Sequence, residues 1–336
     1  MVEILGNPVP VKRILTGLYS FDRAFINKNG DIGLPIGKGI EIYGSTFVGK
    51  STITYGLAGI IGKIIEKDIA LADFEGFDPD FLRTVLMGAG FDGSIQCIQK
   101  EEDEEALEEL LDCMRKDKYG VGILDSIGAI SPIAEQEGEL GEANMGKRAF
   151  LMAQFVRKML KIMRSDSPKT ILMVNHAYPV IGGRGKTTPG GEVKKYLASI
   201  RIEVKRKYVR GGYEEYPDGS YVIEGTVVKN RWGLKDKKFN LFVLSGKGIH
   251  LGLTAMYDGF ELGLVEKPGK KVKKIHIGDT VFGSTKEVIM KAHEGDNDFF
   301  KPFIDILQNV EHEFEESNDE LQATGESDLQ DNSDED

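Results

Sequence analysis

The eight residues Gly44-Ser45-Thr46-Phe47-Val48-Gly49-Lys50-Ser51 place two glycines, an ammonium and a hydroxyl in the order G-x-x-x-x-G-K-[ST]. Side chains of these types at this spacing suit the holding of a polyphosphate. The glycines let the backbone wrap with its N–H groups pointing inward, and a helix starting just after them adds partial positive charge. Lys50 is placed to reach the β- and γ-phosphates of a bound nucleotide and the Ser51 hydroxyl to coordinate Mg2+, with Thr52 following in the same first turn. A glycine turn of structural use only is the competing reading. The strand-like run Ile40 to Tyr43 before the loop and the helical stretch after it disfavour that reading.

Such a site needs a second carboxylate at the end of a neighbouring strand to hold the metal through its water shell. Asp125, after the apolar or small residues Gly122, Ile123 and Leu124, is the candidate. A third carboxylate is needed to orient and deprotonate the attacking water. Asp73 and Glu75 both qualify, since alternation along a strand puts them on one face, and the residues alone do not choose between them.

The elements that must position these groups follow from the hydrophobic pattern. The runs 40–43, 69–72, 121–124 and 170–174 read as buried strands of a parallel sheet. Between them, Leu107, Leu110, Leu111 and Met114 recur at helical spacing, as do Met152, Phe155, Val156, Met159 and Met163, which predicts two core-facing helices. From about residue 198 strands follow one another at 200–205, 220–229 and 238–244, so the parallel core acquires an antiparallel extension. The fold class is therefore α/β, with residues 12–250 as the core and 251–310 as a small α+β module.

At 336 residues and 40% hydrophobic content the chain can build a large core, and no apolar run reaches the roughly 18–20 residues of a membrane span. Nothing at the N-terminus resembles a secretion signal, and two cysteines sixteen residues apart fit neither a zinc site nor a disulfide framework, which points to the cytoplasm. The net charge of −11 argues against nucleic acid only until it is resolved along the chain. Residues 311–336 hold twelve Asp or Glu and no Lys or Arg, leaving 43 basic and 42 acidic side chains in the body. That terminal stretch reads as a disordered acidic tail, either a solubility extension or a competitor with polyanions for the body's basic patches.

Beyond the phosphate loop, the residues resemble the RecA-type recombinase family over about 12–265. Ile14 to Asp22 is similar to the family's entry segment and Gly33 to Gly44 to the strand leading into its loop. The resemblance implies that Glu75 is the catalytic glutamate and that Asp78 and Phe81 contact and stack on adenine. Asp125 to Gly146 is similar to the metal strand and first DNA-binding loop, which implies DNA contacts by Met145, Arg148 and Arg157. The segment after His176 resembles the second DNA-binding loop, with Arg184 and Lys186 on phosphates, Ile181 as an apolar wedge and Gly190 and Gly191 giving freedom of movement. His176 stands where the family usually has a glutamine that senses the γ-phosphate; some phage-type members resemble it in using His. Lys229 and Arg231 are similar to the pair that reaches ATP across the subunit boundary, and Tyr196 matches an aromatic interface position.

The family resemblance implies a DNA-dependent ATPase using ATP and Mg2+ that assembles on single-stranded DNA and pairs it with homologous duplex DNA in recombinational repair. It implies a homo-oligomer, filament or ring, with ATP between subunits, and allows a single-strand-binding protein as a further partner. The departure lies in residues 1–11, a short N-terminal interface arm where cellular members have a longer one with a helix. With His176, this favours a phage- or plasmid-encoded member working in a host cytoplasm. Two other functions compete: a hexameric replicative helicase, which has no reason to carry the Met145-Gly146 region, and an ATP-switched recombination mediator without turnover, which has no need of Glu75.

Overall fold

The computed structural model describes residues 11–137, 145–164, 167–179, 186–189, 194–209, 212–268 and 273–310. Residues 1–10 of the proposed arm at 1–11 and the acidic stretch 311–336 lie outside the described residues, as do Ile181, Arg184, Gly190 and Gly191. Contacts divide the chain into two units, Met1–His250 and Leu251–Asp336.

The first unit is built on one nine-stranded sheet. Its strands are β1 (Gly39–Gly44), β2 (Asp68–Asp73), β3 (Ile95–Ile98), β4 (Tyr119–Asp125), β5 (Thr170–His176), β6 (Ala198–Arg206), β7 (Tyr221–Asn230), β8 (Lys237–Leu244) and β9 (Gly248–Ile249). Their spatial order is β9-β8-β7-β6-β1-β5-β4-β2-β3. The central strands read as unbroken apolar runs because helices cover both faces. On one face α1 (Lys50–Ile65) and α2 (Pro79–Gly88) share a core with Ile40, Ile42, Ile69 and Leu71. On the other, the predicted stripes of α3 (Asp103–Arg115) and α4 (Met145–Ile162) meet Ala70, Leu124, Ile171 and Met173.

Six strands, from β6 to β3 in spatial order, pair in parallel. The antiparallel extension starts one strand later than the sequence pattern implied. β6 lies parallel to β1, with Arg201 opposite Glu41, and β7 is the first to reverse, with Lys229 opposite Arg201. Strands in quick succession look alike whether or not the first of them completes the parallel part, so spacing alone could not locate the change. The edge strand β3, half exposed and only four residues long, left no clear apolar run to read.

The second unit contains α6 (Leu251–Leu262), a hairpin of β10 (Ile275–Ile277) with β11 (Thr280–Gly283), and α7 (Thr285–Glu294). Ser284 and Glu287 close a reciprocal cap at the start of α7. Phe282, Phe299, Phe300 and Phe303 form an aromatic cluster with ring centroids 4.5–6.4 Å apart.

Within the extension, Gly225 lies opposite Phe239, whose buried ring occupies the space a side chain at 225 would need. Gly225→Ala therefore overpacks this strand pair and lowers the denaturant midpoint by an amount equivalent to about 1–3 kcal/mol. An unchanged midpoint in urea would show that the ring can move aside.

Candidate nucleotide and DNA site

Parallel pairing brings the C-terminal ends of β1, β2, β4 and β5 to one edge of the sheet, where α/β folds place their ligands. Gly44 sits opposite His176, and Asp73 opposite Asp125. The phosphate loop starts at Gly44 and ends in α1. A side chain at Gly44 would run into the Val204 carbonyl, and one at Gly49, with φ +90°, would approach the Tyr221 hydroxyl to 2.7 Å. Glycine is required at both positions. Phe47 holds a left-handed φ of 60° at the loop tip and is 89% exposed.

Lys50 is buried, and its Nζ donates to the Ser45 carbonyl at 2.9 Å. Burial pushes its ammonium below the ordinary lysine range, against the charges of Glu75 and Asp125. Thr52 is buried and its hydroxyl bonds with Tyr221, a β7 residue.

Asp125 ends β4 and is 2% exposed. Its Oδ2 accepts from the Tyr55 hydroxyl at 2.8 Å, whereas its buried Oδ1 has no hydrogen-bond partner among the described residues. Burial pushes the carboxyl up to about 6, against the hydroxyls of Ser51 and Tyr55. A buried carboxylate oxygen without a partner beside a serine hydroxyl fits a hard divalent cation. Among the described residues no three His, Cys, Asp or Glu side chains gather to hold a metal alone. An ion here would therefore complete its shell with phosphate oxygens and water.

Asp73 and Glu75 are held differently. Asp73 is buried, and its Oδ2 accepts from the Gly76 N–H at 2.9 Å and from Gln99 Nε2 at 2.8 Å, fixing the turn after β2. Glu75 is presented by that turn and is half exposed. Its Oε1 accepts from the Ser126 hydroxyl and lies 3.0 Å from His176 Nε2. Burial works to raise the Glu75 carboxyl, but the bonds from Ser126 and His176 and the charge of Lys50 hold it below the ordinary range.

Other site candidates are arranged differently. Asp78 caps α2, its Oδ1 accepting from the N–H groups of Asp80 and Phe81, while Phe81 is half-buried against the core. Arg148 is turned inward: its Nη1 donates to the Gly128 carbonyl at 3.0 Å and its Nη2 lies 3.4 Å from Glu135. It braces the segment leading to the first loop. Arg157 is exposed and makes no ion pair among the described residues. Met145 is the first residue of α4, and Lys186 lies in a two-residue strand paired with Tyr178–Pro179. Lys229 Nζ donates to the Lys195 and Ala198 carbonyls, at 2.5 and 2.7 Å, whereas Arg231 and Tyr196 are exposed. These three are not gathered at their own chain's phosphate loop by any described hydrogen bond.

Sequence reasoning missed Tyr55, Ser126 and Gln99. Tyr55 had a signal: it lies four residues after Ser51 and so on the same face of α1. Ser126 and Gln99 depend on contacts 51 and 26 residues away and had none.

A phosphate loop, a buried carboxylate oxygen without a partner among the described residues and a glutamate on the same sheet edge together define a nucleotide-hydrolysing P-loop protein. A family model described as the RecA N-terminal domain matches residues 5–250. The Protein RecA of Mycobacterium sp. (strain KMS) is 32% identical over 280 residues, spanning 79% of this chain and 75% of that protein. For the Protein RecA of Mycobacteroides abscessus the identity is 30% over 327 residues, spanning 93% and 86%. For that of Nocardia farcinica it is 32% over 273 residues, spanning 77% and 73%. The chain belongs to the RecA family. Its activity is that of a recombinase, DNA-dependent ATP hydrolysis and strand exchange in DNA repair, and the helicase and mediator readings are not favoured.

The buried carboxyl of Asp125 yields a pH prediction. Its folded-state pKa lies above the unfolded value, so it weakens the nucleotide-free fold increasingly as pH rises from about 4 to about 6 and by a constant amount above that. Asp125→Asn should raise stability at pH 7.5 by something on the order of 1–3 kcal/mol, and most of that gain should be gone at pH 4. Thermal unfolding at the two pH values checks this; equal shifts at both would contradict it.

Proposed function

We propose that this chain hydrolyses ATP with Mg2+ at the Gly44–Ser51 loop, in a site completed by a neighbouring copy, while assembled on single-stranded DNA. The observation that carries the reading is the Glu75 carboxylate, held ionised by Ser126 and His176 on the same sheet edge as Lys50 and Asp125.

The backbone N–H groups of Gly44–Ser51 cradle the phosphates, and Lys50 exchanges the Ser45 carbonyl for phosphate oxygens. Ser51 would hold Mg2+ directly and Asp125 through water, and the ion would supply positive charge to offset that of the phosphates. Glu75 orients the attacking water and accepts its proton. His176, on the same carboxylate, reports the γ-phosphate to the segment that follows it. Asp78 and Phe81 border the adenine, with Phe81 offering a ring face for stacking. Lys229 and Arg231 of a neighbouring copy complete the phosphate site, which makes turnover depend on assembly. Arg231 supplies a planar fork suited to phosphate oxygens.

Met145, Arg157, Ile181, Arg184, Lys186, Gly190 and Gly191 form the DNA-contacting set, and Arg148 contributes by bracing the segment at Gly128. Homologous duplex DNA is the second substrate and a single-strand-binding protein a further partner. A core at 12–250, a module at 251–310 and flanking segments 1–11 and 311–336 make up the chain. Cytoplasmic location is supported by the free thiols of Cys97 and Cys113 and by the lack, among the described residues, of any helix long and apolar enough to cross a membrane. His176 in place of the usual glutamine supports a phage- or plasmid-encoded member.

Glu75→Gln should bind ATP within a few-fold of the unmodified protein while kcat in the presence of single-stranded DNA falls by about 10²–10⁴. Lys50→Ala is the control that loses nucleotide binding. A Glu75→Gln protein with undiminished turnover would sink the assignment of the base. Separately, deleting 311–336 removes twelve acidic side chains and should tighten duplex DNA binding at fixed salt. Unchanged affinity in a salt-matched titration would leave the tail without a competitive role.

A further inference from the structure

Lys194, in α5 (Lys194–Leu197), is 0% exposed, as is Glu41 on β1. A lysine is almost never buried so completely without a dedicated set of partners. Three adjacent strands supply them. β6, β1 and β5 present Arg201, Glu41 and Asn175 to one another: Arg201 Nε donates to Glu41 Oε2 at 2.5 Å, and Asn175 Nδ2 donates to Glu41 Oε1 at 2.8 Å. The Lys194 ammonium lies 3.4 Å from the same Oε1. Arg201 also stacks on the Tyr43 ring at 4.7 Å, which fixes its plane.

The donors left over converge on two residues. Lys194 Nζ donates to the Thr188 carbonyl at 2.7 Å, to Thr188 Oγ1 at 2.6 Å and to the Pro189 carbonyl. Asn175 Nδ2 donates to the Pro189 carbonyl at 3.1 Å, and Arg201 Nη2 to Thr188 Oγ1 at 3.3 Å. Next along β5 is His176, 3.0 Å from Glu75. A chain of polar contacts thus runs from the base of the hydrolytic site through Asn175–His176 to Thr188–Pro189. An aliphatic side chain at 194 would fill the volume without desolvating a charge, but it could grip neither carbonyl.

We infer that Lys194 is a positioning residue that clamps Thr188–Pro189 to the Asn175–His176 end of β5, so that the segment carrying Lys186 follows the state of the nucleotide site. The inference rests on the reading of that segment as a DNA contact. The clamp is fully charged only below a definite pH. Burial lowers the Lys194 ammonium to about 8, opposed by Glu41 on β1 and assisted by Arg201 on β6 and Lys195 on α5. Lys229 on β7, which faces Arg201 and Glu41, belongs to the same charged neighbourhood.

The test is ATP turnover of the full chain with Mg2+, with and without single-stranded DNA, for the unmodified protein, Lys194→Met and Thr188→Val. Lys194→Met should keep DNA-independent turnover within about two-fold while its stimulation by DNA drops about tenfold, within the usual range of coupling between sites. Thr188→Val removes one acceptor and leaves the carbonyls, so its loss should be smaller. Stimulation of the unmodified protein should decline as pH rises through about 8, while Lys194→Met stays low and flat. If Lys194→Met does not fold, Thr188→Val and the pH profile decide. Full stimulation in Lys194→Met, or parallel loss of both turnover modes in folded protein, would overturn the inference; with Thr188→Val and the pH profile deciding, undiminished stimulation or a flat profile would do the same. An unmodified protein that DNA does not stimulate at any pH would instead reject the DNA reading on which it rests.

Discussion

Parallel register at the sheet's C-terminal edge is the constraint on which everything else depends. Pairing of β1 with β5 sets Gly44 opposite His176, and pairing of β2 with β4 sets Asp73 opposite Asp125. Two register choices thereby put the phosphate loop, the candidate metal carboxylate, the turn that presents Glu75 and its histidine partner on one line. The ladder continues past the strands: the Phe74 N–H donates to the Asp125 carbonyl at 2.7 Å and the Ala177 N–H to the Gly44 carbonyl at 3.1 Å. A slip of one residue in either pair would turn one member of each couple to the opposite face.

The same edge concentrates charge in a poorly solvated place. Lys50 and Asp125 are buried with their pKa values pushed toward the neutral forms, and Glu75 lies below the ordinary carboxylate range because Ser126, His176 and Lys50 outweigh its own burial. The burial of Lys50 and Asp125 costs the unliganded fold stability, whereas the lowered Glu75 carboxyl favours it. This is the environment expected of groups whose partners arrive with a polyphosphate and a cation. Behind it, Glu41 is treated oppositely: burial alone would raise its carboxyl, but Lys194, Arg201 and Asn175 lower it below the ordinary range. One buried cluster is left incomplete for a ligand and the other is closed upon itself.

What could be read beforehand follows the same physics. The phosphate loop, the apolar strands and the two helix stripes are local patterns, and each survives translation into structure because its spacing is the period of the element. What distinguishes the surroundings of Asp73 from those of Glu75 is not local. It lies in Gly76 and Gln99, one supplied by a turn and the other by the residue that follows the unpredicted strand β3. Resemblance to the family made Arg148 a phosphate contact, and its helix position does not reveal that its guanidinium folds back onto Gly128 and Glu135. Family resemblance placed functions on residues that composition could not, but it did not indicate the lysine buried at 194.

The central claim is that the hydrolytic site and the chain at Thr188–Pro189 move as one unit through Asn175–His176. Amide hydrogen exchange of the full chain, with and without Mg2+ and a slowly hydrolysed ATP analogue, tests it directly. Nucleotide should increase protection at the phosphate loop and, in the same protein and at the same nucleotide concentration, around residues 175–178 and 186–188. Protection confined to the loop and α1, with the β5 end and 186–188 unchanged, would contradict the claim.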